Sequence, residues 1–315
     1  MTAIFSAGDK LVRNFLFLFS TLPRMRIALK AALVLSMICA PGAASAQWSV
    51  DAQATRQYES NLSYGQIASD VASDNVTKIS VAAGRELFAL ADSSLSLSAE
   101  AAAAGYDRYR GLSNASLGAT LTGRSKLGIG LTAPWLELSA SAAREAYRTT
   151  RRNGYRYAAA LASGRRFSES FDAQIGARYD RRRTDDDLPD IAGTSGRAFD
   201  LQGRSLFAQA NLAISDSLSA SLGINLRRGD VVSTARETPA IWAAANAITD
   251  DPAFGEGRYA YRISGGTTRT ASLALSWTLN AHSSISGSVA DVDARAREGF
   301  AYRSKQLAIQ YVYSR

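Results

Sequence analysis

From about residue 47 to the last residue, hydrophobic and polar positions alternate with a period of two, one segment after another, with turn residues between. In 93–104, Leu95, Leu97, Ala99, Ala101 and Ala103 alternate with Ser94, Ser96, Ser98, Glu100 and Ala102. In 218–227, Leu218, Ala220, Leu222, Ile224 and Leu226 alternate with Ser219, Ser221, Gly223, Asn225 and Arg227. In 271–279, Ala271, Leu273, Leu275, Trp277 and Leu279 alternate with Ser272, Ala274, Ser276 and Thr278. Leu307, Ile309, Tyr311 and Tyr313 repeat the pattern at the end of the chain. Successive side chains of a strand point to opposite faces, so each segment predicts a strand with one apolar and one polar face.

Such segments fall near 47–60, 76–88, 93–106, 112–123, 134–147, 155–166, 171–183, 203–214, 218–229, 258–279, 283–294 and 301–313. The tenth is expected to be irregular at Gly265-Gly266, with its membrane strand nearer 267–279. An even number of strands, about twelve, predicts an all-β fold: one closed antiparallel transmembrane β-barrel with lipid on its apolar face. The connections sort accordingly. Short ones at 89–92, 167–170, 215–217 and 280–282 alternate with long polar ones at 61–75, 184–202 and 230–257, and 124–133 is the exception. Aromatic residues gather near strand ends, with Trp48, Phe88, Phe167, Phe171, Trp277 and Tyr313 on the short-turn side. Tyr106, Tyr147, Tyr155, Tyr179, Tyr259 and Tyr302 fall on the other, as interfacial girdles require. The lipid face is rich in Ala, which buries little surface. Closure must therefore supply the stability, since unpaired backbone groups in hydrocarbon cost several kcal/mol each. A soluble all-β sandwich is the alternative; no fixed-length repeat supports a solenoid.

The N-terminal region carries no part of this pattern. Met25, Arg26 and Lys30, then a short apolar run from Ala31 to Ala40, then Ala44-Ser45-Ala46, read as a secretory signal peptide cleaved after Ala46. Residues 1–46 are thus a signal-peptide region, with Met25 the expected true start, and 47–315 are the barrel. The apolar run is shorter than the roughly 20 residues a spanning helix needs. Cys39 is the only cysteine and lies in that segment, which removes disulfides, thiolate catalysis and cysteine metal sites from the mature chain. The formal charge of +8 falls to +4 once Lys10, Arg13, Arg24, Arg26, Lys30 and Asp9 are removed. That modest excess does not suggest nucleic acid as a partner.

Polar parity marks the candidate lumen lining: Lys78, Glu100, Glu137, Glu145, Arg156, Asp172, Arg178, Gln209 and Arg227, with small residues between. Either water fills the lumen and these groups line a narrow channel, or they pair into a network that plugs it. Twelve strands with many small residues should leave space, because eight are just filled by side chains. Thr238-Pro239 and the following residues to Ile248 read as a short capped helix, and Trp242 and Ile248 are candidates for a constriction at the mouth. Arg148, Arg151 and Arg152 with Arg181, Arg182 and Arg183 suggest contact with lipopolysaccharide phosphates, which guanidinium groups match bidentately.

Catalytic chemistry has little to work with. The only histidine, His282, falls in a short turn on the expected periplasmic side, the wrong end for a surface hydrolase. Glu100 with Glu137 could form a carboxylate pair, though inward carboxylates also serve as plain lining. Asp185, Asp186, Asp187 and Asp190 could cage a calcium ion, or form a solvated acidic loop balanced by the arginines before it. No catalytic residue, metal or cofactor is expected.

The segment Tyr58-Glu59-Ser60-Asn61 closing the first strand resembles the Tyr-Asp-Ser-Asn signature of porin-like outer-membrane β-barrels of proteobacteria. The resemblance covers 47–315 in architecture. It implies an outer-membrane location, lipid and lipopolysaccharide as surroundings, and folding by the outer-membrane assembly machinery. Many such barrels end on an aromatic residue; here Tyr311 and Tyr313 lie four and two residues before the end. The function expected is a narrow porin-like channel for small polar or charged solutes. The alternatives are a non-conducting accessory barrel in envelope assembly or polysaccharide export, and an outer-membrane hydrolase. The oligomeric state does not follow from the sequence.

Overall fold

The computed structural model describes residues 48–186 and 195–315. The expected signal peptide lies outside the described residues, as do Asp187 and Asp190 of the calcium candidate.

Among the described residues thirteen strands form: β1 (Trp48–Glu59), β2 (Asp74–Ala89), β3 (Ser93–Tyr106), β4 (Asn114–Lys126), β5 (Trp135–Tyr147), β6 (Gly154–Arg166), β7 (Phe171–Thr184), β8 (Leu201–Ala213), β9 (Leu218–Ala235), β10 (Ala247–Asp250), β11 (Tyr259–Asn280), β12 (Ser283–Arg295) and β13 (Ala301–Ser314). Twelve of them close an antiparallel barrel: β9 pairs with β11, β13 with β1, and the four-residue β10 rides on β11. Closure runs from Asp51 opposite Ser314 to Glu59 opposite Gln306, so no sheet edge is left in the wall.

Register identifies the two faces. Leu97 stands opposite Leu121, Leu138 opposite Leu161, Leu206 opposite Leu226, and Leu273 opposite both Leu222 and Val289. All of these are exposed, as are Leu117, Ile175, Ile224 and Ile309 of the same parity. A continuous exposed apolar belt of this extent is stable against lipid and unfavourable against water. The opposite parity faces the lumen. Trp48, Phe88, Phe167, Phe171 and Trp277 ring the short-turn end, exposed on the outside. At the long-loop end the expected girdle is thinner. Tyr155 and Tyr179 face outward, while Tyr302 is 2% exposed inside the mouth and Tyr147 faces inward beneath the Arg182 guanidinium, 5.1 Å from it.

The irregularity at Gly265-Gly266 is a register break between Ile263 and Gly266, where Gly265 adopts φ +75°, a backbone that disfavours other residues. Above it β9 and β11 leave the wall together as a flap, and β10 adds a third strand. Alternation ends there because both faces are covered. Val231, Tyr261 and Ile263 pack with Ile241, Ile248, Phe300 and Tyr302, while Ala260 and Ala247 pack with Ala198 and Phe199. The helix expected over 238–248 is shorter. Helix α1 spans Pro239–Ala244, with the Thr238 hydroxyl accepting from the Ile241 amide at 3.5 Å, and residues from Ala247 onward turn into β10. Edge pairing with β11 satisfies the backbone there better than another turn of exposed helix would.

Candidate functional site

The inner wall is polar and hollow. Lys78, Glu100, Glu137, Glu145, Arg156, Asp172, Arg178, Gln209 and Arg227 all carry the inward parity, and Lys78, Glu100, Arg156 and Arg178 remain exposed although they face inside. Their contacts run along the wall. Glu145 takes Arg156 at 3.3 Å and Arg182 at 2.9 Å; Arg227 takes Asp180 at 2.9 Å. Gln174, Gln209, Asn211 and Asp172 form a chain at 3.3, 2.9 and 2.7 Å, and the Lys78 ammonium donates to Gln57 at 2.8 Å. Among the described residues each of these contacts stays within one strand or joins strands adjacent or next-adjacent in the wall, and none bridges the lumen. The polarity rule missed Phe207, whose ring lies inward over Gly176; a Cβ there would come 2.4 Å from the ring.

A strap lies across the long-loop end. The connection 236–258, carrying α1 and β10, leaves the seam between β9 and β11 and crosses the mouth to the β3–β4 loop, with six wall strands on either side. There Phe254 meets Tyr109 with ring centroids 4.9 Å apart, and a Cβ on Gly111 would lie 2.7 Å from the Ala253 Cα. Two ion pairs staple this strap. Asp251, fully buried, holds Arg152 of the β5–β6 loop at 2.5 Å and accepts from the Thr234 hydroxyl at 2.7 Å. Arg152 also lies 4.0 Å from the centre of the Phe199 ring. Arg258 pairs with buried Asp70 of the β1–β2 loop.

The tetrapeptide Tyr58-Glu59-Ser60-Asn61 explains how Asp70 arrives. Asn61, buried, donates to the Gly65 and Arg303 carbonyls at 2.9 and 3.0 Å and accepts from the Gly65 amide at 2.9 Å. The Ser60 hydroxyl accepts from the Lys305 amide at 2.7 Å. These bonds fold the β1–β2 loop over β13 and into the mouth. Burial there pushes the Tyr64 phenol up to about 12, so it stays neutral.

Trp242 and Ile248 belong to the strap but pack into the flap core; the segment that reaches the far wall is 251–258. The six loop arginines do not share one face. Arg181 and Arg183 face outward and Arg148 and Arg151 lie in or beside the β5–β6 turn. Arg152 and Arg182 are inside, the latter on Glu145 and on the Phe199 and Arg152 carbonyls. Glu100 is level with Gly118 and Ala143, six residues along β5 from Glu137, so the two carboxylates sit about 20 Å apart. His282 lies at the short-turn end with Nδ1 3.0 Å from the Ser314 carbonyl. Asp185 pairs with Arg144, whose guanidinium holds that carboxyl below its usual range, and Asp186 with Arg151. No metal-ligating cluster occurs among the described residues.

A closed twelve-stranded antiparallel barrel with an apolar outer belt, short turns at one end and long loops at the other has the architecture of porin-like outer-membrane barrels. An outer-membrane channel of Pseudomonas putida F1 has this fold, with TM-score 0.54 at 8% identity over 88% of this chain and 99% of that one. The NanC porin (TM-score 0.48, 9% identity, 83% and 98% coverage) is also similar. So is the transport unit of the autotransporter AIDA-I from Escherichia coli (0.41, 12%, 91% and 97%). No family model and no curated protein matches the sequence.

Proposed function

We propose that the chain is an exported outer-membrane channel for small polar or charged solutes, closed at its outer mouth by the 236–258 strap. The observation that carries this is the combination of inward charges that stay exposed in the lumen with a strap spanning the mouth to the opposite wall. A network plug would need contacts across the lumen, and the wall residues pair sideways instead. Planar-bilayer conductance of refolded residues 47–315 tests the reading. The intact barrel is expected to be mostly closed, and deletion of 238–257 is expected to give steady open channels. A folded barrel that stays silent after the deletion would move the function to the loops and an accessory role.

The outer rim supports a lipid contact drawn differently from the loop clusters. Arg204 stands directly opposite Arg228 on the outward face, just above the belt residues Leu206 and Leu226, with Arg181 and Arg183 on the next strand. None of the four makes an ion pair among the described residues, and like charges placed opposite one another destabilise a sheet. Lipopolysaccharide phosphates would relieve that repulsion. The double substitution Arg204→Glu with Arg228→Glu should reduce lipopolysaccharide retained by the purified barrel, and unchanged retention would remove the assignment.

A further inference from the structure

The strap and the wall it reaches do not meet flush. Between them lies an open cavity of about 600 Å³, lined by Arg108, Arg110 and Arg148 from the wall loops and by Phe254 and Arg258 from the strap. A narrower crevice of about 120 Å³ adjoins it, sharing Arg108, Tyr109, Phe254 and Arg258 and adding Asp70 and Thr234. The Tyr109–Phe254 ring contact therefore belongs to both spaces, and Arg258 reaches from the larger one to Asp70 in the crevice.

The charge of this seam is one-sided. Asp70 is the one carboxylate lining either cavity, and Arg258 occupies it. The Asp107 carboxylate is paired with Arg56, and Arg110, which hydrogen-bonds the Asp107 carbonyl at 3.4 Å, feels that carboxylate only as a second, unbonded cation. Arg148 makes no ion pair among the described residues, and Arg108 lies 5.1 Å from the centre of the Tyr109 ring. The backbone beneath is held in place. Buried Asp74 accepts from the Arg108 amide at 3.1 Å and the Tyr109 amide at 2.9 Å, so its charge is spent on the loop rather than on the cavity. Three exposed guanidinium groups line one space, none of them in an ion pair among the described residues; they repel one another, and an oxyanion with several acceptor oxygens would relieve that repulsion.

We propose that this seam binds a soluble anion carrying more than one carboxylate or phosphate. The anion competes with Asp70 for Arg258 and so loosens one staple of the strap. The inference rests on the channel reading for its purpose but not for its test. Citrate is the probe, titrated calorimetrically into the refolded barrel in detergent at low salt. Wild type is expected to bind it, and the triple substitution of Arg108, Arg110 and Arg148 by Ala to weaken binding at least about a hundredfold, since charge-assisted bonds contribute roughly tenfold or more each. Asp70→Asn, which releases Arg258, should tighten binding. Absence of citrate binding to wild type, or binding that the triple substitution leaves unchanged, overturns the proposal. So does lipopolysaccharide binding lost in the triple variant without any citrate binding, which would give these arginines to lipid. A strap-deleted barrel that conducts while wild type ignores citrate keeps the channel and loses the anion site. A barrel that binds citrate but stays silent without its strap does the reverse.

Discussion

Asp251→Ala is expected to open the barrel without dismantling it. The side chain is fully buried, and its removal leaves Arg152, itself 15% exposed, without its carboxylate between Phe199 and Phe254. Breaking one side of a buried ion pair costs about 3–5 kcal/mol, because the remaining charge stays desolvated. The wall strands make no use of this pair, so the penalty falls on the closed position of the strap. The ratio of open to closed channels should then rise about a hundredfold or more, at roughly 1.4 kcal/mol per factor of ten. Asp251→Asn, which keeps an acceptor for Thr234, should have the smaller effect. Single-channel recordings read this directly, and an unchanged open fraction would mean that 251–258 does not close the mouth.

Ile224→Arg is expected to be the most damaging single change in the wall. Ile224 is 59% exposed, so in a water-soluble protein the substitution would be nearly silent. Here it lies outward in the lower, lipid-facing part of β9, directly between Ala208 and Ala271, with Leu222 and Leu226 before and after it on the same face. Arginine near the bilayer midplane costs about 2–4 kcal/mol. The neighbouring Asn225→Arg points into the lumen and should fold normally, altering ion selectivity instead. Denaturant unfolding in liposomes and heat-modifiable gel mobility compare the two, and equal stability would contradict the assignment of faces.

The wall was legible because lipid on one side and water on the other impose a strict period of two, from Leu95 to Tyr313. The flap was not, for the same reason. Val231, Val232, Ser233, Thr234 and Ala235, and then Tyr259 to Ile263, are covered on both sides, so polarity no longer reports direction. Only Gly265-Gly266 marked the departure. Arg182 carried a signal that clustering obscured: as the middle of three consecutive arginines it has the parity opposite to Arg181 and Arg183 and turns to Glu145. Phe207 escaped because the lumen was defined by polar residues. The pairing of Arg152 with Asp251, ninety-nine positions apart, needs the folded chain. Asn61 was visible as a motif, but its work in folding the β1–β2 loop depends on the Arg303 carbonyl and the Ser304 hydroxyl at the far end of the sequence.

The strap's course from one side of the ring to the other also has a mechanical consequence. A closed sheet resists stretching along its hydrogen bonds but ovalises readily, and walls built of alanine interlock too little to oppose that bending. A segment fixed at the β9–β11 seam, at the β3–β4 loop and at two loops between them acts as a tie-beam across the rim. It braces the rim at these points, so a barrel without its strap is expected to be not the same cylinder with a segment removed but a softer one.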